Sequence, residues 1–246
     1  MNIAKKADHR TIYRNRITAK GLISYSLVIK ETDLLIFADT QLREETKKAV
    51  LHYRYQIEEY IRRFPDFLYS LTPLPLDDSA PSIVKDMMYA AILAEVGPMA
   101  SVAGAIAEKI GNDLLKQSSQ IVIENGGDIF LKVSKDLIIG IYAGTSPLSN
   151  KIGLKIASDI TPLGVCTSSG TVGHSLSFGK SDAVTVIAKS TPLADAAATA
   201  IGNLVKVKKD IERGLEYAQT IKGIYGILII VDDQCGAWGN IEIVSI

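Results

Sequence analysis

The sequence predicts an α+β fold built largely on antiparallel sheet. Three observations carry that expectation. Strand-like apolar segments come in runs, and so do helical ones, where a parallel α/β protein would alternate them regularly. The step Asn125-Gly126-Gly127-Asp128 lies between two short apolar segments, Ile121 to Glu124 and Ile129 to Val133, and has the chemistry of a tight hairpin turn. Hydrophobic residues make up 47% of the 246 positions, ample for a core, and no long stretch is both polar and highly charged, which excludes bulk disorder. The glycines show no three-residue period and no heptad persists, so collagen-like and coiled-coil architectures are excluded as well. With 27 basic and 27 acidic side chains the chain is neutral overall, and we expect no nucleic-acid partner. One domain over residues 1–246 is expected.

The elements follow in order. Residues 9–17 read as a strand inside a basic N-terminal arm. Residues 22–37 read as a hairpin turning at Glu31-Thr32-Asp33. Residues 41–64 are the clearest helix, with Val50, Tyr53, Ile57, Ile61 and Phe64 at helical spacing, Glu58/Arg62 and Glu59/Arg63 as i,i+4 pairs, and Pro65 as the stop. Residues 66–81 read as a loop. Met87 to Ala107 carries one formal charge, Glu95, and is about as long as a bilayer is thick, yet Gly97-Pro98 interrupts it. Two buried helices, about 82–96 and 99–117, are expected there, and no membrane partner. Strands are expected at 121–124, 129–133, 137–142, 151–157, 184–189, 227–231 and 241–246. Between them lie a Gly/Ser-rich loop at 167–181, a helix opened by Thr191 as N-cap with Pro192 at its first position, and a helical piece near 207–218. Cys166 and Cys235 offer neither a disulfide framework nor metal-ligand spacing, and no apolar leader opens the chain, so a cytoplasmic location is expected.

Four segments could carry chemistry. Gly97 to Glu108 is a helix start of small residues, fit either for an anion at the helix amides or for close helix packing. Glu124-Asn125-Gly126-Gly127-Asp128 reads as a hairpin turn. Cys166 to Asp182 can surround phosphates with amides and hydroxyls. It is neither a Walker A loop, since five residues separate Gly173 from Gly179, nor a nucleophile elbow, and its Ser177/Lys180 SxxK lacks partner motifs. Asp195, Thr199 and Asn203 form one polar stripe on an alanine-rich helix. Asp195 and Thr199 could hold a hard cation, or Asp195 could complement its own helix dipole.

Taken together and in order, these segments resemble the ApbE-like superfamily, best known for FAD:protein FMN transferases, over roughly residues 97–203. The resemblance implies an α+β fold with antiparallel sheets, binding of FAD, use of Mg2+, and transfer of FMN to a Thr or Ser of a target protein. It implies ligand-binding roles for Asn125, Gly126, Gly127 and Asp128 and for Thr167, Ser168, Ser169 and Gly170. It places the loop histidine at His174 as a catalytic residue, and the metal ligands at Asp195 and Thr199. Two departures stand out. The Lys-Gly-Tyr of the transferases is replaced by Ala103-Gly104-Ala105, and no Asp-Pro follows His174. The leading expectation is therefore a Mg2+-dependent protein acting on a small phosphate-bearing ligand, with FMN transfer or FAD pyrophosphate cleavage as its chemistry. The alternatives are a non-catalytic flavin, pterin or nucleotide-binding module, and an oligomeric structural protein with a vestigial cleft. A homodimer is the expected assembly.

Overall fold

Segments such as Ala183 to Ala188 and Ile224 to Val231 are apolar at consecutive positions, so a sheet made of them needs cover on both faces. The computed structural model, which describes residues 19, 21–170 and 179–246, provides that cover. Among the described residues the order is β1 (Ile23–Ile29), β2 (Thr32–Ala38), α1 (Arg43–Arg63), α2 (Asp66–Tyr69), α3 (Ser82–Ala94), α4 (Val102–Leu114), β3 (Ile121–Asn125) and β4 (Asp128–Lys132). There follow β5 (Leu137–Gly140), β6 (Ile152–Ile156), β7 (Leu163–Ser168), β8 (Ala183–Ala188), α5 (Thr191–Leu204), α6 (Ile211–Thr220), β9 (Ile224–Val231), β10 (Gln234–Gly239) and β11 (Glu242–Ser245).

Eight strands form one sheet in the order β1-β2-β3-β4-β7-β8-β9-β10, and β11-β6-β5 form a second. Neighbouring strands are antiparallel throughout, as the α+β expectation requires. The side-chain period of two divides each central strand between two cores. Ile121 and Ile123 face the helices α1, α3 and α4, whereas Val122 between them faces the small sheet. Val184 and Val186 pack on α5 and α6, and their neighbours Ala183 and Ile187 on the far side. The molecule is thus a layer of helices, a large sheet and a small sheet, with apolar material between each pair.

Several expectations are corrected. The first hairpin turns at Lys30-Glu31, because Ile29 pairs directly with Thr32. Glu58 is engaged by Arg54 one turn earlier in the helix and by Lys30 from the first hairpin, and Arg62 reaches Glu59 three residues back, so other pairs take the place of the two anticipated ones. Residues 66–69 are a short helix, not loop. Thr167 and Ser168 belong to strand β7, paired with Thr185 and Val184. The cap of α5 is Ser190, whose hydroxyl accepts the N–H of Leu193, which moves Thr191 to the first helical position. The break at Gly97-Pro98 is present: α3 and the helical segment Pro98–Leu114 meet at 104°. Among the described residues no single helix is long and apolar enough to cross a membrane. The basic strand expected at 9–17 lies outside the described residues.

The alanines of α5 set its position. Ala194, Ala196, Ala197 and Ala198 are fully buried, and these short side chains let the helix sink between α3, α4 and the sheet. The closest approach is at Gly104 of α4, where a Cβ would lie 2.6 Å from the carbonyl oxygen of Thr191 and 2.9 Å from Cβ of Asp195. We expect Gly104→Ala to lower the melting temperature by several degrees. An added methyl raises helix propensity by about 1 kcal/mol, but overpacking against a fixed backbone carbonyl costs about 1–3 kcal/mol. A thermal melt showing stabilisation would mean that α4 and α5 do not meet as closely as described.

Candidate functional site

A helix begins with backbone N–H groups that its own turns leave unsatisfied. At α4 and α5 each helix meets the other's need with a carboxylate. Oδ2 of Asp195 in α5 accepts the N–H of Gly104 in the first turn of α4 at 2.9 Å, and the N–H of Ala103 adds to it. Oε2 of Glu108 in α4 accepts the N–H of Thr191, the first residue of α5, at 2.6 Å. So Asp195 complements a helix N-terminus, as one sequence reading held, but that of the neighbouring helix.

The β3–β4 turn is stitched to the same junction. Nδ2 of Asn125 donates to the carbonyl of Ala103 at 3.0 Å, one residue before the N–H that Asp195 accepts. Gly126 and Gly127 take φ of 68° and 110°, the left-handed region a two-residue hairpin turn demands. Oε1 of Glu124 accepts the N–H of Gly127 at 2.9 Å, and the carbonyl of Gly127 accepts the N–H of Thr167 at 3.3 Å. Asp128 pairs across the sheet with Cys166.

The electrostatics follow from this crowding. Burial raises the Asp128 carboxyl well above the usual carboxylate range; the Asp195 and Glu124 charges push it further, and bonds to Cys166 and Thr167 oppose the shift. Asp195 is raised to about 7 by burial, against the pull of the Gly104 and Ala103 amides. Glu108 is raised by burial too. Burial, and then Asp128 and Asp195, push the Cys166 thiol up, so this cysteine is the inert buried thiol expected of an apolar strand.

Asn125, Gly127, Asp128, Thr167 and Asp195 are therefore brought together. The Thr-Ser-Ser-Gly run is divided. Ser168 lies near Gly202, two turns down α5 from Asp195, and Gly170 bonds Ser181 through its N–H. Thr199, part-buried, stands one turn beyond Asp195 on the same helix. His174 lies outside the described residues. Sequence reasoning passed over Glu108 and the acceptor role of Glu124. Glu108 stands one helical turn after Gly104, but nothing in its spacing points to a helix start some eighty residues away.

The profile of the family described as AbpE bacteria matches residues 14–223. The chain is 46% identical over 221 residues to a UPF0280 protein of Methanocaldococcus jannaschii, covering 87% of this chain and 90% of that protein. It is 44% identical over 226 residues to a UPF0280 protein of Methanococcus aeolicus, covering 89% and 91%. Among solved structures it is similar to flavin transferase ApbE from Vibrio cholerae, with a TM-score of 0.57 at 13% identity over 88% of this chain and 96% of that one. A flavinyl transferase ApbE from Pseudomonas stutzeri in its apo form gives the same TM-score at 15% identity, over 94% and 95%.

The raised Asp195 carboxyl has a consequence for stability. In the unfolded chain it titrates near 3.8, and in the folded protein at about 7. Between these values the folded state holds a proton that the unfolded state has released, so stability is greatest below the window and falls as pH rises through it. In chelator-containing buffers Asp195→Asn should flatten the decline of melting temperature between about pH 4 and pH 7. Identical slopes for wild type and variant would show that Asp195 is not the titrating group.

Proposed function

The chain belongs to the ApbE-like superfamily, and on that premise we propose that it binds FAD, or a related phosphate-bearing ligand, together with Mg2+ where α4, the β3–β4 turn and α5 meet. The observation that carries this reading is the charge balance at the junction. The charges acting on Asp128 are those of Asp195 and Glu124, all negative, and burial presses Asp128 and Asp195 toward their neutral forms. A divalent cation is the natural counter-charge for such a group.

The donor chemistry suits Mg2+. Among the described residues no three His, Cys, Asp or Glu side chains are grouped to hold a metal ion, so an all-protein cage is not the reading. The Asp195 carboxylate and the Thr199 hydroxyl are hard ligands one turn apart, and Mg2+ is commonly held by one or two carboxylates with the rest of its shell from water and phosphate oxygens. When bound, the ion would neutralise charge on a ligand diphosphate. Around it the Gly126-Gly127 backbone, Asn125 and Thr167 would position the ligand, with Ser168, Ser169 and Gly170 further along α5. His174 would act as acid or base or as a ligand contact, roles open to an imidazole.

In the reaction proposed, the pyrophosphate bond of FAD breaks, AMP leaves, and the FMN phosphorus is joined to a hydroxyl of a protein acceptor or of water. The fold shared with flavin transferases supplies the ligand class. The replacement of Lys-Gly-Tyr by Ala103-Gly104-Ala105 favours the second reading, a module that binds the ligand without cleaving it.

The test is to add FAD with and without Mg2+ and follow melting temperature and AMP release. At a ligand concentration a hundredfold above Kd, binding stabilises by about 2.7 kcal/mol, which is about 5–10 °C for a chain of this size. We expect a Mg2+-dependent rise that Asp195→Ala removes. AMP release lost in the same variant would establish pyrophosphate chemistry, a thermal shift without AMP the binding module. Absence of both would overturn the proposal.

A further inference from the structure

Helix α5 carries the carboxylate junction near its start, and a different chemistry lies at its end. Past Leu204 the chain presents Lys206, Lys208 and Lys209, and Lys180 lies beside them across a groove of about 830 Å3 floored by Asp182 and Asp232. Ten residues of helix separate Asp195 from Val205, about 15 Å along the axis. The groove is therefore distinct from the Asp195 junction, although its Lys180 adjoins Gly170, the far end of the ligand site proposed above.

The lysines are held by a fixed frame. The N–H of Lys180 donates to the carbonyl of Val205 at 3.1 Å, joining the two lysine-bearing segments. Oδ2 of Asp210 accepts the N–H groups of both Lys206 and Val207 at 3.0 Å, which locks the turn that displays the other three. Below them, Oδ2 of Asp182 accepts the N–H of Asp232 at 2.6 Å, and the hydroxyl of Ser146 donates to the Asp232 carbonyl. Lys208 is neutralised by Asp233 at 2.5 Å and Asp232 at 3.6 Å. Among the described residues Lys180, Lys206 and Lys209 have no such partner. Lys180, Lys206 and Lys209, the last of them also acting electrostatically on Asp210, thus line one space together with the Asp182 and Asp232 carboxylates.

We propose that this groove is a binding site for a small, multiply charged phosphate anion, either free or as the di- or triphosphate tail of a nucleotide. Its size falls within the range of small-ligand sites. Four lysines against the carboxylates of Asp182 and Asp232 leave the lining net positive, and it holds no aromatic ring, so charge and not ring stacking provides the attraction. Lysine ammonium groups are compact, rotatable donors suited to phosphate oxygens, and a bound polyanion would relieve their mutual repulsion. Because the lysines are exposed, binding should weaken as salt rises.

The probe is inorganic pyrophosphate, titrated calorimetrically into the full chain at low ionic strength without divalent cation. Wild type should bind, and Lys206→Ala/Lys209→Ala should weaken binding about tenfold or more, a loss of about 1.4 kcal/mol or greater, with an unchanged melt. Asp195→Asn should leave binding intact, which separates this site from the junction. ADP binding more tightly than pyrophosphate would identify a nucleotide tail as the ligand, and equal affinity the phosphate alone. The proposal is overturned if wild type fails to bind, if the folded double lysine variant binds as wild type does, or if Asp195→Asn abolishes binding.

Discussion

The carboxylates exchanged between α4 and α5 are the interaction on which the rest of the site depends. Each helix start would otherwise point unpaired N–H groups into packed protein, and a charge-assisted hydrogen bond there contributes about 1.5–3 kcal/mol. Asp195 and Glu108 supply these bonds in opposite directions, so neither helix can shift without breaking both. The geometry requires backbones in near contact. Thr191 is gripped on two sides, by Gly104 from α4 and by Gly164 from β7, where an added Cβ would fall 2.5 Å from its Cα. The lack of side chains at these glycines is a packing requirement first, and any anion-binding property of the small-residue helix start comes after it.

The same junction ties the helix layer to the sheet. Asn125 reaches the carbonyl of Ala103, and Asp128 sits beside Cys166 on the next strand, so the hairpin turn that reads as a local motif serves as a tertiary connector. The cost appears in the pKa values. Asp195, placed for hydrogen bonding to helix amides, also lies close enough to Asp128 to raise it, and burial disfavours both charged forms. Asp128 is consequently pushed well above the usual carboxylate range and Asp195 to about 7, shifts that a structural cap has no need of and that a nearby cation would oppose.

Much of the architecture was legible because it rests on periodicity and punctuation. Helix α1 announced itself through five apolar residues at helical spacing, and the β3–β4 hairpin through two glycines. The bend between α3 and α4 followed from Gly97-Pro98. Strand β10 was missed: Gln234 to Gly239 holds two glycines and lies exposed at the sheet edge, so it has no apolar pattern to read. Strand β7 was not among the expected strands, and its end was read as loop because Thr167 and Ser168 look like loop residues, although Thr167 pairs with Thr185 through both backbone and hydroxyl. At the site, Asp195 was found by its i,i+4 relation to Thr199. The bond it makes, to an amide ninety-one positions away, is a product of the fold and leaves no trace in local spacing.

The departure at Ala103-Gly104-Ala105 gains a physical meaning from this arrangement. A lysine or tyrosine beside Gly104 would bring a cation or a ring to the junction. Here the positions around it are filled by the Asp195 carboxylate and the Asn125 amide, and the local charge is negative. A phosphate approaching such a junction meets repulsion unless a positive charge comes with it. In the function proposed, Mg2+ at Asp195 and Thr199 would supply that charge, and in the further inference the groove lysines would supply it about 15 Å further along α5. The helix thus carries acidic chemistry at one end and basic chemistry at the other. On these proposals the two ends would pose different demands on a phosphate ligand, since the first would call for a metal ion and the second would not.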